Sequence, residues 1–434
     1  MKSPEPGATV HEQATAGRTK SVAGPRKRRI ALYSHDTMGI GHMRRNLLIA
    51  QALIDCPFET VILLLAGARE LSTLGLPPEV DCLTLPSLYK EGDGQYQPRR
   101  LDISLEELIV LRGRTIAASL AAFRPDLLIV DKVPRGAVNE LDHTLAALRA
   151  DGPTRCVLGL RDVLDSPQTV CREWRKAANE EAIRAYYDAI WIYGDPAIYD
   201  PVREYRFSPA LAAKVRFTGY LDQRLRTRFA GIDGAEWLAP VLESSDQLVL
   251  CMVGGGQDGC SLAEAFSLVD FPAGMTGVIL TGPFMPPDVQ QRLAQRAAVN
   301  PQLRVIKFVT DSDLLLDRAS RVVAMGGYNT VCEVLSFEKR ALIVPRVHPR
   351  TEQLIRAERM RERGLLDVLH PDALSPQALT DWLRRDQEPP SRVRERVDLN
   401  GQARIPGLVE ELLASPPCPR RGRLSPRRTQ YVPR

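Results

Sequence analysis

Glu333, Glu352 and Gln353 are residues able to hold the hydroxyls of a sugar, and two glycines, Gly326 and Gly327, stand shortly before the first of them. A carboxylate accepts hydrogen bonds from paired hydroxyls, such as the diol of a ribose. The glycines permit close backbone approach or a positive φ, and Asn329 or Thr330 can cap the helix that carries Glu333. Free N–H groups at such a helix start favour an anion. The stretch reads as an apolar strand (321–325), a two-glycine turn, a helix, a second apolar strand (341–344) closed by Pro345, and a polar loop that opens another helix at Glu352. In a parallel sheet both loops leave the carboxyl ends of strands, where open α/β sheets bind ligands. Alone, a glycine turn or a helix-borne glutamate is ordinary. In this order they point to a nucleotide-sugar site.

Three other places carry reactive or charged residues just after buried strands. The first strand (29–34) runs into a glycine-bearing polar loop that includes His35 and Gly41, and then into a helix with His42, Arg44 and Arg45 near its start. Arginines at a helix N-terminus oppose the macrodipole, so an anion such as a phosphate is expected there. His42 is a candidate general base or, equally, a capping or cleft-lining residue. A strand at 125–130 delivers Asp131, and one at 155–159 ends in Arg161 and Asp162; these three are candidates for acceptor or phosphate contacts, with structural ion pairs as the alternative. The third place is Gly254-Gly255-Gly256-Gln257-Asp258-Gly259, which matches a dinucleotide fingerprint literally. The next strand, 276–280, ends in Thr281-Gly282-Pro283 without the carboxylate that the dinucleotide reading needs. The loop therefore reads as a cradle for a nucleotide diphosphate, with Gly255, Gly256 and Gln257 at the ligand.

The run GGYNTVCEVLSFEKRALIVPRVHPRTEQLIRAERMRERG, from Gly326, resembles the C-terminal half of glycosyltransferases of the B fold. It is similar to the peptidoglycan-type N-acetylglucosaminyltransferases and to an uncharacterised group of predicted transferases, over about residues 246–385 and, less closely, over 29–225. The resemblance implies a GT-B architecture: two Rossmann-like, doubly wound α/β domains facing each other across a cleft. It implies that Glu333 holds the uridine ribose and that Glu352 and Gln353 contact the donor sugar, with Glu352 standing where the peptidoglycan enzyme has a glutamine. It places His42 at the position of a cleft histidine near the acceptor. The function implied is transfer of a sugar, an N-acetylhexosamine on this likeness, from a UDP-sugar to an unidentified acceptor, with inversion. A non-hydrolysing UDP-N-acetylglucosamine epimerase of the same fold and a nucleotide-sugar-binding protein without activity are the alternatives. No cofactor and no essential metal are expected, because amides and helix dipoles can stabilise a departing diphosphate.

The elements that must position these residues follow from composition. The chain has 434 residues, 44% of them hydrophobic, enough for two buried cores. Its formal charge of +5 is concentrated at the ends: seven of 58 Lys/Arg and two of 53 acids lie in residues 1–29, and six arginines lie in 415–434, leaving 45 bases against 51 acids between them. That acidic body is not expected to bind nucleic acid. The eight cysteines are scattered without a C-x-x-C pair and read as reduced core residues. No apolar run is long enough to span a bilayer and no secretory h-region is present, so a cytoplasmic protein is expected, with weak peripheral contact to a membrane allowed by the basic tails. The predicted organisation is a disordered tail (1–28), an acceptor-binding domain (29–225), a linker (226–245), a donor-binding domain (246–414) and a basic tail (415–434). A capping box, Ser104 to Glu107, starts a helix that runs to Phe123, and 87–100 reads as a polar loop.

Overall fold

The computed structural model describes residues 26–35, 41–67, 76–90, 95–228, 247–256, 258–307, 312–386, 388–390 and 392–415. The expected terminal tails and most of the expected linker lie outside them, as does Gln257. Two parallel sheets organise the molecule. The first holds β1 (Arg28–Ser34), β2 (Thr60–Ala66), β3 (Val80–Thr84), then β6 (Leu127–Asp131), β7 (Arg155–Arg161), β8 (Ala189–Tyr193) and β9 (Val215–Phe217), in the order β3-β2-β1-β6-β7-β8-β9. The second holds β10 (Gln247–Met252), β11 (Met275–Leu280), β12 (Leu303–Ile306), β13 (Ala319–Ala324), β14 (Arg340–Ile343) and β15 (Asp367–Val368), in the order β12-β11-β10-β13-β14-β15. Their central strands, such as LLIVD in β6 and RALI in β14, are buried along their whole length, as strands covered by helices on both faces must be.

Each sheet reverses its winding once, between β1 and β6 and between β10 and β13. At those points the loops leave in opposite directions and open a crevice. The loop before His42 follows β1 and Asp131 ends β6; the glycine loop follows β10 and Gly326 follows β13. All four candidate regions thus sit at the two switch points.

The structure departs from the sequence expectations in several local features. Residues 87–100 contain a small antiparallel hairpin, β4 (Leu88–Lys90) with β5 (Tyr96–Pro98), because Leu88 buries against Leu108 and Ala137 of the neighbouring helix and loop. The helix expected over about 168–187 is two helices, Pro167–Lys176 and Asn179–Tyr186. Ala178 between them adopts φ +50°, and the Ala177 carbonyl accepts a hydrogen bond from Arg135 Nη1 at 3.1 Å. The capping box at Ser104 and Glu107 forms in both directions. The last helix begins at Gly401, earlier than the expected 406, and packs on the helix Gly41–Ile54 of the first domain.

Structural ties join the domains at the crossing and across the crevice. At the crossing, the backbone of 219–223 pairs with the returning chain: Tyr220 N–H donates to the Asp398 carbonyl at 2.8 Å, Gly401 N–H to the Tyr220 carbonyl at 3.0 Å, and Asp222 N–H to Gln402 Oε1 at 2.7 Å. Across the crevice, Arg356 of the helix Glu352–Glu362 donates from Nη2 to Asp162 Oδ1 at 2.6 Å and from Nε to Oδ2 at 2.9 Å, both side chains fully buried. Tyr220 Oη adds a third donor to Asp162 at 2.9 Å. Removing one member of a buried, hydrogen-bonded ion pair strands the other charge. Arg356→Met is therefore expected to lower unfolding free energy by about 3–5 kcal/mol, and the double variant Asp162→Leu/Arg356→Met to regain most of that loss. Urea unfolding of the three proteins checks it; equal loss in the single and double variants would show that packing, not charge, holds the site.

Candidate active site

His42 and Asp131 meet because β1 and β6 are neighbours and their carboxyl ends lie side by side. His42 Nδ1 is hydrogen-bonded to Asp131 Oδ2. Arg45, one turn further along the same helix, grips that carboxylate from Nε (3.1 Å to Oδ1) and Nη2 (2.7 Å to Oδ1, 2.6 Å to Oδ2). Burial by itself would raise Asp131, but Arg45 and then His42 outweigh it and hold the carboxyl well below its usual range. Nδ1 has two neighbours, the Asp131 carboxylate, which only accepts, and Arg45 Nη2 at 2.9 Å, which only donates; the closer carboxylate assigns the proton to Nδ1 and leaves the lone pair on Nε2. Burial pushes the His42 imidazole down to about 4, against the opposing pull of Asp131, so the ring is neutral at physiological pH. The arrangement is a neutral imidazole, a carboxylate that orients it and a guanidinium that fixes the carboxylate, a geometry able to serve as a general base. His35, almost fully buried, lies with its ring centroid 5.0 Å from that of His42.

Opposite stands the helix Tyr328–Ser336. Gly327, with φ −61°, is its N-cap, and neither Asn329 nor Thr330 caps it as expected from sequence. Asn329 instead reaches across the crevice and donates from Nδ2 to the Gly41 carbonyl at 2.9 Å. Thr330 is buried. Glu333, two turns into the helix, is 2% exposed in its side chain, with Oε1 3.7 Å from Arg44 Nη1 of the facing helix. The guanidiniums of Arg45 and Arg356 both lie against the Tyr328 ring, 5.5 and 5.6 Å from its centroid. A Cβ on Gly326 would crowd the Gln353 carbonyl at 3.0 Å.

Glu352 and Gln353 begin the next helix at the same edge, as read from the sequence. Glu352 Oε1 pairs with Arg346, which also binds Asp258 at 2.8 Å, while Glu352 Oε2 is buried without a partner. Gln353 Oε1 accepts from the Arg346 N–H at 3.1 Å. The glycine loop after β10 has two roles. Gly256, at φ +93°, packs so closely on the next loop that a Cβ would stand 2.2 Å from the Thr281 carbonyl; a Cβ on Gly254, at φ +63°, would meet nothing within 4 Å and one on Gly255 only Phe284, although both backbones pack against Gly282 on their other side. The open part of the loop is Gly254-Gly255, and Gly256 supports it.

Of the charged residues after β6 and β7, Asp162 is consumed by Arg356, whereas Arg161 makes no ion pair among the described residues and its Nε is buried without a partner. Burial and then the nearby Arg356 push the Arg161 guanidinium down to about 10, so it remains a cation at neutral pH. Sequence reasoning did not single out Arg356, Arg346 or Tyr328. Arg356 lies four positions after Glu352, on the same helix face, and that spacing was the available signal. Orphaned buried atoms gather at this crevice: His35 Nδ1, Arg161 Nε, Tyr328 Oη, Asn329 Oδ1 and Glu352 Oε2. Such atoms are normally satisfied, so their concentration marks a place where a polar ligand completes the network.

Residues 250–412 match the model of the glycosyltransferase family 28 C-terminal domain. An uncharacterized glycosyltransferase of Methanosarcina acetivorans is 22% identical over 393 residues, covering 86% of this chain and 95% of that protein. Among solved structures, the glycotransferase of kitacinnamycin superposes with a TM-score of 0.59 at 15% identity, over 90% of this chain and 100% of that one. MurG of Acinetobacter baumannii does so at 0.53 and 15% identity, over 88% and 99%. The UDP-GlcNAc 2-epimerase of Neisseria meningitidis, solved with UDP-GlcNAc bound, gives 0.58 at 13% identity, over 89% and 99%. At these identities the superpositions establish the two-domain architecture, and the domain match gives the family likeness of residues 250–412. The chain has the two-domain GT-B fold, and its residues 250–412 match the glycosyltransferase family 28 C-terminal domain.

Proposed function

We propose that the protein transfers a sugar, an N-acetylhexosamine by its sequence likeness, from a UDP-sugar to an acceptor hydroxyl presented by the N-terminal domain. The observation that carries this reading is the neutral His42, oriented by Asp131, on the opposite wall of one crevice from Glu333, Glu352 and the open glycines. Glu333 accepts from the ribose diol, and Glu352 Oε2 and Gln353 hold hydroxyls of the donor sugar. The diphosphate rests on the Gly254-Gly255 amides and on the N-terminus of the helix Tyr328–Ser336, with Arg161 as its free counter-charge.

In the proposed step His42 Nε2 takes the acceptor's hydroxyl proton while the oxygen forms its bond to the anomeric carbon. The bond from that carbon to the phosphate oxygen breaks, and UDP leaves with the electron pair. One displacement inverts the centre. Asp131 stabilises the imidazolium that forms, as a buried carboxylate does for a histidine base. Arg44 beside Glu333 couples the two walls, so donor binding and the position of the base helix are linked. With amides and Arg161 taking the leaving charge, activity is expected to persist in excess chelator.

Two measurements test this. By isothermal titration, Glu333→Ala should weaken UDP by at least about tenfold, the worth of one lost charge-assisted hydrogen bond; His42→Ala should leave UDP binding within about twofold and abolish acceptor-dependent UDP release. An unchanged affinity in Glu333→Ala, or conversion of UDP-GlcNAc to an epimer without acceptor, would overturn the reading. The second concerns pH. A histidine whose folded value lies near 4 is deprotonated, and competent as a base, at every pH above that, so the acid limb of kcat/KM should fall near pH 4 and not near 6.5. Asp131→Asn removes the group that raises His42, so the limb should not move upward, while kcat falls by about 10²–10⁴. A limb near 6.5 in wild type would contradict the burial-depressed imidazole, and a limb that survives in His42→Ala would contradict the assigned base.

A further inference from the structure

Away from the crevice, at the opposite edge of the first sheet, a cavity of about 660 Å³ opens between the helices Leu105–Phe123 and Asp142–Asp151. Its position is fixed by the strand entries it touches: Arg29 at the start of β1, Asp126 just before β6 and Thr154 just before β7. These are the amino ends of the strands, whereas His42 and Asp131 lie at the carboxyl ends.

The cavity exists because small side chains face each other. Ala117 and Ala121, one turn apart on the first helix, stand opposite Ala147 on the second. Nearer its start the first helix runs close to the segment that leads into the second, where a Cβ on Gly113 would stand 3.1 Å from the Glu140 carbonyl. Leucines at the alanine positions would close the gap; the sequence leaves it open.

Two further observations say what fits. Thr144, 2% exposed, lines the cavity with an Oγ1 that has no hydrogen-bond partner. A helical threonine ordinarily returns its hydroxyl to the preceding turn. The rim carries Arg26, Arg29 and Arg124 against a single carboxylate, Asp126, a surplus of two positive charges. Asp126 is already engaged by the Arg29 N–H at 2.9 Å and by Arg26 at 3.4 Å, and Arg124 is exposed with no ion pair among the described residues. An apolar volume of this size with a few convergent polar groups is the usual form of a small-molecule site.

We propose that this cavity is a second ligand site, separate from the donor site, that takes an anionic amphiphile: an apolar chain in the alanine-lined space and an acid group held by the rim arginines and the Thr144 hydroxyl. It does not rest on the proposed transferase reaction and is tested without it. Decanoate, below its micellar concentration, is titrated into the full-length protein by calorimetry, with decanol as the neutral control.

Saturable decanoate binding at least about tenfold tighter than decanol is expected, together with an affinity for UDP that decanoate does not change. Ala147→Phe and Ala117→Phe, one on each helix, should each abolish decanoate binding while UDP binding and circular dichroism stay as in wild type. Thr144→Val, which keeps the shape and removes the hydroxyl, should weaken decanoate severalfold and leave thermal stability intact. No saturable binding, equal binding of decanol, unchanged binding in both phenylalanine variants, or competition by UDP would each overturn the proposal.

Discussion

The ion pair between Asp162 and Arg356 is the constraint on which the rest of this structure depends. Both groups are fully buried, and burying charges is costly unless every lone pair and proton finds a partner. Here that condition is met by a single guanidinium that also donates to the carbonyls of Gly326 and Val163. Gly326 belongs to the glycine turn of the second domain, and Asp162 to a strand end of the first. One side chain therefore sets the distance between the two walls. Tyr220, from the crossing segment, joins at the same carboxylate, so the chain's passage between domains is registered to the crevice as well. Asp165 extends the seam, accepting from the Thr351 N–H at 3.0 Å and from Arg350 Nη1 at 3.0 Å, immediately before the helix that carries Glu352 and Gln353.

Within that frame the crevice is arranged as a set of matched charges with one exception. Asp131 is matched to Arg45, Asp162 to Arg356 and Glu352 to Arg346, while Glu333 faces Arg44. Arg161 is the cation left without an ion pair among the described residues. A half-buried cation whose Nε is shut off from solvent without a partner is unfavourable unless an anion arrives, and the open Gly254-Gly255 turn and a helix start in the second domain are suited to one. The pairing also explains the His42 imidazole: its carboxylate is already held by an arginine, so the pull toward protonation is too weak to offset burial, and the ring stays neutral.

How much of this was legible in the sequence depends on the length scale of the cause. Unbroken apolar runs such as those of β6, β7, β8 and β14 gave the strands directly, because a strand buried on both faces has no polar alternation to hide it. The carboxyl-edge placement of His42, Asp131, Arg161, Glu333 and Glu352 followed from strand order alone. What failed were features decided by contacts distant in the chain. Asn329 looked like a helix cap and is an interdomain hydrogen bond to Gly41, 288 positions away. Asp162 offered a ligand role or a structural one, and only the partner on a helix 194 positions later decides it. Gly256 belonged to a motif that suggests phosphate contact, yet its freedom from a side chain is demanded by the Thr281 carbonyl. The break at Ala178 and the hairpin of β4 and β5 likewise depend on neighbours that no local pattern reveals.

The central claim is that Glu333 receives the hydroxyls of a ribose on the wall facing the base. The most direct test is the affinity of the wild-type protein for UDP compared with 2′-deoxy-UDP, measured in parallel on Glu333→Ala. The account predicts that the deoxy nucleotide binds the wild type about tenfold more weakly and that the two nucleotides become equivalent in the variant. Equal affinity for both nucleotides in the wild type, or a difference that survives in Glu333→Ala, would contradict it.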